Sequence, residues 1–273
     1  INDFNYSVGG NITYSRFWDW EQYKPRFSNS WDEYRNSIWH RVGYVNWGYE
    51  AIGRFDSWEQ IANYPVDNDR KGNRTVVPGD IMYKDQNNDG VINYLDERPI
   101  GYRVDSTPTL NFGINLSASW KGFDLAMDWT GSGMTSWNQC YETARPFQND
   151  GNSPDEVLKD AWHLSDIWDA NSPLIPGKYP MVRLNTDETS AYDKSSYWLH
   201  NVTYLKLRNL EVGYTFPKTW LNRTGISNLR LFVSGTNLLT LSNLSVMDPE
   251  CASDNGLDYP PMRVINIGVN LKF

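Results

Sequence analysis

The sequence is poor in the groups that do chemistry. Two cysteines, Cys140 and Cys251, and three histidines, His40, His163 and His200, occur in 273 residues. The cysteines are far apart and lack CxxC spacing, so they read as two free thiols, or as one disulfide if the chain is exported. The histidines are isolated, and HExxH, GxSxG, Walker and Rossmann patterns are all missing, which leaves an enzyme with little support. Basic residues are outnumbered, 25 against 33 acidic, for a formal net charge of −8. A nucleic-acid partner needs a basic face and is excluded on that ground. No apolar run of about 18 residues exists. That excludes a transmembrane helix but not a membrane β-barrel, whose alternating strands give a weak hydropathy signal. The chain opens at Ile1 without Met or signal peptide, as a mature, trimmed or fragmentary chain would.

Aromatics, by contrast, are abundant: 13 Trp, 17 Tyr and 10 Phe, or 15% of the chain. Membrane-interface belts and sugar-binding surfaces are two places where a polar protein concentrates such rings.

Period-2 alternation is the main structural signal. Phe4, Tyr6, Val8, Gly10, Ile12 and Tyr14 share one face of a first strand. Leu110 to Trp120 and Phe123 to Trp129 alternate likewise on either side of Lys121-Gly122, and read as a tight hairpin. Asp124 and Asp128 fall on the polar side of that hairpin, where a lumen would lie. Three more strands follow, at 204–216, 229–234 and 264–273. In the first of them the parity slips near Asn209, which predicts a β-bulge.

The strands run about 9 to 13 residues, enough to cross a bilayer at a tilt, whereas soluble strands average about 5 to 6. Connections alternate long (17–107), tight (121–122), long (132–200), short (216–227) and long (240–261). That is the rhythm of an outer-membrane barrel with long extracellular loops and short periplasmic turns. The expected fold class is therefore all-β: a transmembrane antiparallel β-barrel segment, residues 1–273, with short helices in the loops. Six strands cannot close a bacterial barrel, which needs about 8. The chain is thus expected to be the C-terminal part of a larger barrel whose remainder precedes Ile1. A soluble β-sandwich with large insertions, such as a secreted calcium-stabilised carbohydrate-binding β-domain, explains the alternation equally well but the strand lengths and the loop rhythm less well. Two short helices are expected, one capped by Ser57 and ending before Pro65, the other opened by Ser153-Pro154-Asp155-Glu156 and running to about His163. Residues 31–53 are ambiguous between helix and strand.

Within the 17–107 loop, DQNNDGVINYLD (85–96) matches the spacing of a calcium loop. Asp85, Asn87 and Asp89 fall at positions 1, 3 and 5, and Gly90 at the sharp turn. Val91 would offer its carbonyl and Asn93 a ninth-position oxygen, while Asp96 replaces the usual Glu at position 12. The flanks are not paired helices, so a structural Ca2+ clip on a long loop is expected rather than a sensor. An Asx-rich turn without metal is the alternative. Among the loop aromatics, Trp18, Trp20, Trp137 and Trp168 are the candidates for stacking on a sugar ring, although packing between loops would also use such residues.

The runs GDIMYKDQNNDGVINYLDERPIG, PTLNFGINLSASWKGFDLAMDWTGS, YLKLRNLEVGYTFPKTWLNRTGISNLRLFVSGTNLLTLS and the ending YPPMRVINIGVNLKF together resemble the SusC/RagA family of TonB-dependent outer-membrane transporters. The likeness covers nearly all of 80–273 and is looser over 1–79. It implies a Gram-negative outer-membrane barrel of about 22 strands with a plugged lumen. It further implies a plug and a TonB-contacting segment N-terminal to this chain, energy from the TonB complex, and a SusD-like surface lipoprotein as lid. Oligosaccharides, or in some members peptides, would be the cargo. Phe273 resembles the terminal signal read by the barrel-assembly machinery.

Overall fold

The computed structural model describes every residue except 1–2, 22, 24, 104–107, 185–187, 223–224 and 252–254. The alternating segments form one antiparallel sheet. Its strands are β1 (Phe4–Tyr14), β2 (Leu110–Trp120), β3 (Phe123–Asn138), β4 (Leu199–Thr215), β5 (Asn228–Ser242) and β6 (Val264–Lys272), paired in chain order. The β2–β3 turn is tight because Lys121 and Gly122 both adopt positive φ, 47° and 91°, as a two-residue hairpin requires. The expected bulge is present: the register of β4 shifts between Leu207 and Asn209 against both neighbours, β3 and β5.

Register carries the apolar positions onto one face. Phe4, Trp120, Phe123, Tyr214, Leu231 and Val269 form one row across all six strands. Val8, Leu116, Met127, Leu210, Gly235 and Ile265 form another. Among the described residues much of this face has no protein cover: Val8 is 68% exposed and Ile267 83%. A contiguous apolar surface of this extent calls for lipid or a partner. The other face carries Asn115, Asp124, Asp128, Glu211 and Arg230. There Arg230 donates to Asp124 (3.1 Å) and Glu211 (2.6 Å), and Asn115 donates to Asp128 (2.7 Å). No helix among the described residues is long and apolar enough to cross a membrane.

Strands β3, β4 and β5, at 16, 17 and 15 residues, are longer than the sequence pattern suggests. The extra residues of all three lie at the end where the long connections emerge. There the alternation dissolves into Thr-Gly-Ser-Gly in β3, and side chains bury against loops instead of facing lipid. Trp137, Val202 and Leu244 make a small core at that end.

The main hydrophobic core lies outside the sheet. Tyr49, Ile81, Tyr83 and Ile92 from the β1–β2 connection pack with Tyr179, Tyr192 and Trp198 from the β3–β4 connection. Polar ties reinforce it. Fully buried Asn68 donates to Ile81 O (3.0 Å) and Ser190 Oγ (3.2 Å) and accepts from Tyr83 N (3.0 Å). Arg183 pairs with buried Asp80, whose carboxyl is pushed up by burial even though Arg183 opposes the shift. The third long connection is fastened to the wall: Lys206 Nζ of β4, fully buried, contacts Asp248 (2.9 Å) and Glu250 (2.9 Å), and Arg208 also pairs with Glu250.

Short helices occupy the loops as expected. The ambiguous 31–53 stretch contains helix α1 (Ser30–Asn36), capped by Asn29, followed by two- to four-residue strands. Helix α2 (Trp58–Ala62) is capped by Ser57 Oγ, which accepts from Gln60 N (3.2 Å). The helix expected to reach His163 is corrected: α3 spans only Asp155–Lys159, and Ser153 supplies no cap. Tertiary pairing ends it. Trp162 N donates to Tyr179 O (2.9 Å), and His163–Leu164 pairs with Leu174–Ile175, which pulls the chain into extended form.

Candidate metal loop and aromatic cleft

The 85–96 segment turns back on itself at Gly90, where φ is +82° and a Cβ would meet open space. Asp85, Asn87, Asp89, Asn93 and Asp96 each hold a backbone amide of the same loop. Asp85 accepts from Asn88 N (2.7 Å) and Gly90 N (2.8 Å), Asn87 from Asp89 N (3.0 Å), Asp89 from Val91 N (2.9 Å), and Asn93 from Leu95 N (2.9 Å). Those bonds hold the Asp89 carboxyl below the usual carboxylate range, the Val91 amide contributing most and the Asn87 amide next. Ile92, fully buried, roots the loop in the main core, and a bridge from Asp67 to Val91 braces it.

The donor set suits an oxygen-seeking cation in type, but the rotamers do not yet present it. Asn87 Nδ2 (2.9 Å) and Asn93 Nδ2 (3.4 Å) donate to Asp89 Oδ2, so amide nitrogens face the carboxylate. Asn93 Nδ2 also covers the Val91 carbonyl at 3.1 Å. Asp96 is fully buried, and its two oxygens accept from Gln86 N and Asn93 N, both at 2.8 Å. Among the described residues no three His, Cys, Asp or Glu side chains converge as a metal cluster. Asp85, Asn87 and Asp89 would be the cation ligands after amide rotation, with Val91 and Asn93 completing the set and Asp96 bracing the loop.

A second Asx-rich turn, unforeseen in the sequence, packs beside the first. Burial would raise the Asp69 carboxyl. Bonds from the Thr75 amide and hydroxyl and from the Lys71 and Asn73 amides outweigh it and bring the group down to about 2. Among the described residues neither Cys140 nor Cys251 is in a disulfide.

The four candidate tryptophans separate. Trp18, in a two-residue strand paired with Val42, is half exposed. Trp168 is 91% exposed at the tip of the 163–175 hairpin, where Asp166 Oδ1 accepts its amide (2.9 Å). Trp20 is 73% exposed and its ring lies 4.8 Å from that of His40. Trp137 departs from the expectation: it is buried, stacked on His200 (5.6 Å) and packed with Val202 and Leu244. The extension of β3 past Trp129 carried it into a core.

Around Trp20 the chain forms a cleft of about 620 Å³ that sequence reasoning did not assemble. Its walls include Trp20, Trp39, His40, Phe27, Glu21 and Glu33. Trp39 meets His40 edge-on at 5.3 Å. Residues 20 and 40 come together because Trp18–Asp19 pairs with Arg41–Val42, a two-residue ladder too short to show periodicity.

No protein-family model matches the chain. It is 30% identical over 242 residues to TonB-dependent receptor P3 of Formosa agariphila, covering 82% of this chain and 22% of the relative. To TonB-dependent receptor SusC of Bacteroides thetaiotaomicron it is 24% identical over 252 residues, 86% of this chain and 20% of the relative. The fold matches the RagAB peptide transporter with a TM-score of 0.63 at 21% identity, covering 99% of this chain and 27% of that one. The chain is a segment of a SusC/RagA-like TonB-dependent transporter. Its sheet is accordingly a barrel segment, apolar toward lipid and polar toward the lumen. The chain spans about a fifth of the length of the curated relatives it matches. Those relatives are named as receptors and transporters, not enzymes.

Proposed function

We propose that this segment belongs to an outer-membrane importer of oligosaccharides that draws on a TonB complex and acts with a SusD-like surface lipoprotein as lid. The observation that carries the reading is a sheet apolar on one face and charged on the other, with all three long connections gathered at one end. A barrel wall with an extracellular loop mass has that form. In this arrangement cargo docks between lid and loops and passes inward, without covalent chemistry in the loops. Exposed indoles at Trp18, Trp20 and Trp168 support a sugar cargo, because flat rings with polar neighbours stack on pyranose faces. Similarity to structures described as a peptide transporter supports the second reading, a peptide importer of the same architecture. Mass spectrometry of ligand co-purified with the full-length transporter and its lid separates the two: bound oligosaccharide is expected, and an eluate of peptides alone refutes the glycan assignment. A folded monomer that stays soluble without detergent would instead favour the secreted β-domain.

The same reading takes loop 85–96 as a structural Ca2+ clip, which offsets the closure entropy of a long connection. Asp89→Ala is expected to lower calcium content, measured by elemental analysis of the dialysed full-length protein. Equal content in the variant and the parent would refute the clip.

A further inference from the structure

The cleft around Trp20 has a lining that is specific in charge. Two carboxylates, Glu21 and Glu33, share it with three aromatic rings and the His40 imidazole, and among the described residues no lysine or arginine lines it. Of the described cations on helix α1 and the strand after it, Arg35 is held by Glu97 at 3.0 Å, and Arg41 lies over the Tyr34 and Trp47 rings. Among the described residues no cation pairs with Glu21 or Glu33. Ionised carboxylates only accept hydrogen bonds, so a matching ligand must bring donors, and a positive charge strengthens each contact. The indoles of Trp20 and Trp39, 73% and 64% exposed, offer faces to an apolar ring surface and attract a cation through the ring quadrupole. One ligand unit satisfies both demands: a sugar ring whose face stacks on indole and whose free amine is protonated.

We propose that this cleft binds a hexosamine unit carrying an unacylated ammonium group, within the imported oligosaccharide; the inference rests on the glycan reading above. The ammonium meets Glu21 and Glu33, and the pyranose face lies on Trp20 or Trp39. N-acetylation removes the charge and two donors while leaving the ring, so it isolates the carboxylates' share.

The test is calorimetric titration of the full-length transporter with its lid lipoprotein in detergent. The ligands are a β-1,4-linked glucosamine tetramer, its N-acetylated counterpart and a lysine-containing tetrapeptide. The glucosamine tetramer should bind at least about tenfold more tightly than the acetylated one, the scale of one or two charge-assisted bonds. Glu21→Gln with Glu33→Gln should erase that preference and leave the acetylated ligand within about twofold of its parent affinity, which also reports on folding. Trp20→Ala should weaken both sugars. Equal affinity for the two sugars, or a preference that survives in the double variant, overturns the cleft assignment alone. Binding of the peptide with neither sugar overturns the glycan reading as well, and binding of none of the three overturns the cleft assignment.

Discussion

The barrel wall and the loop mass solve the folding problem in opposite ways. The wall has almost no core of its own. Its apolar face waits for lipid, and its stability rests on a continuous ladder of strand pairs. The loop mass carries the buried aromatics, Tyr49, Tyr83, Tyr179, Tyr192 and Trp198, drawn from two connections that lie far apart in sequence. The wall is thus specified by local alternation and the loops by long-range packing. The surface that would meet cargo belongs to the second kind, which tolerates change in loop sequence provided its core is kept.

Four tests would break or sharpen the contrast. The largest effect is expected from Trp198→Ala, which should cost about 3–5 kcal/mol of loop stability. It should raise hydrogen exchange at the 51–54 and 81–83 strand pair and leave the β2–β3 hairpin protected. Uniform loss of protection would mean that wall and loops are one cooperative unit. Next, Lys206→Met should cost about 3 kcal/mol by stranding Asp248 and leaving Glu250 to Arg208 alone, seen as faster proteolysis within 243–263. An unchanged cleavage rate would show the tie to be idle. In the wall, Ile114→Arg on the lipid face should cost about 2–4 kcal/mol in vesicle unfolding, against little for Ser117→Arg on the polar face. Reversal of that order would reverse the assignment of faces.

The smallest effect concerns pH. The Asp69 carboxyl lies at about 2 in the fold, below its unfolded value of about 3.9. A depressed carboxylate contributes stability that is whole above about pH 4 and is lost as pH falls toward about 2. Exchange at the Lys71, Asn73 and Thr75 amides, which donate to Asp69, should therefore rise across that window and be nearly pH-independent there in Asp69→Asn, once intrinsic exchange is divided out. Parallel profiles in the two proteins would contradict the assignment.

What could be read from sequence follows the same division. The strands, the Lys121-Gly122 turn, the bulge beside Asn209 and the Ser57 cap all depend on neighbours a few residues away. The full reach of β3 did not show, because Gly131 and Gly133 interrupt the apolar period and the residues beyond are buried by loops. The helix from Asp155 stopped early because the pairing of residues 161–164 with 174–179 overrode local propensity. The cleft beside Trp20 depends on a ladder of two residues, and Trp137 was misplaced because its burial is set by Val202 and Leu244.

The Lys206–Arg208 tie also sets the charge of the sheet's polar face. The connection between β5 and β6 brings two carboxylates to two cations on the inner wall, so with the strap seated the local charge cancels. If the strap lifts, the cations remain on the wall and the carboxylates leave with it. Opening that connection would therefore turn a neutral stretch of the polar face into a basic one, so strap position and the charge of that face cannot change independently.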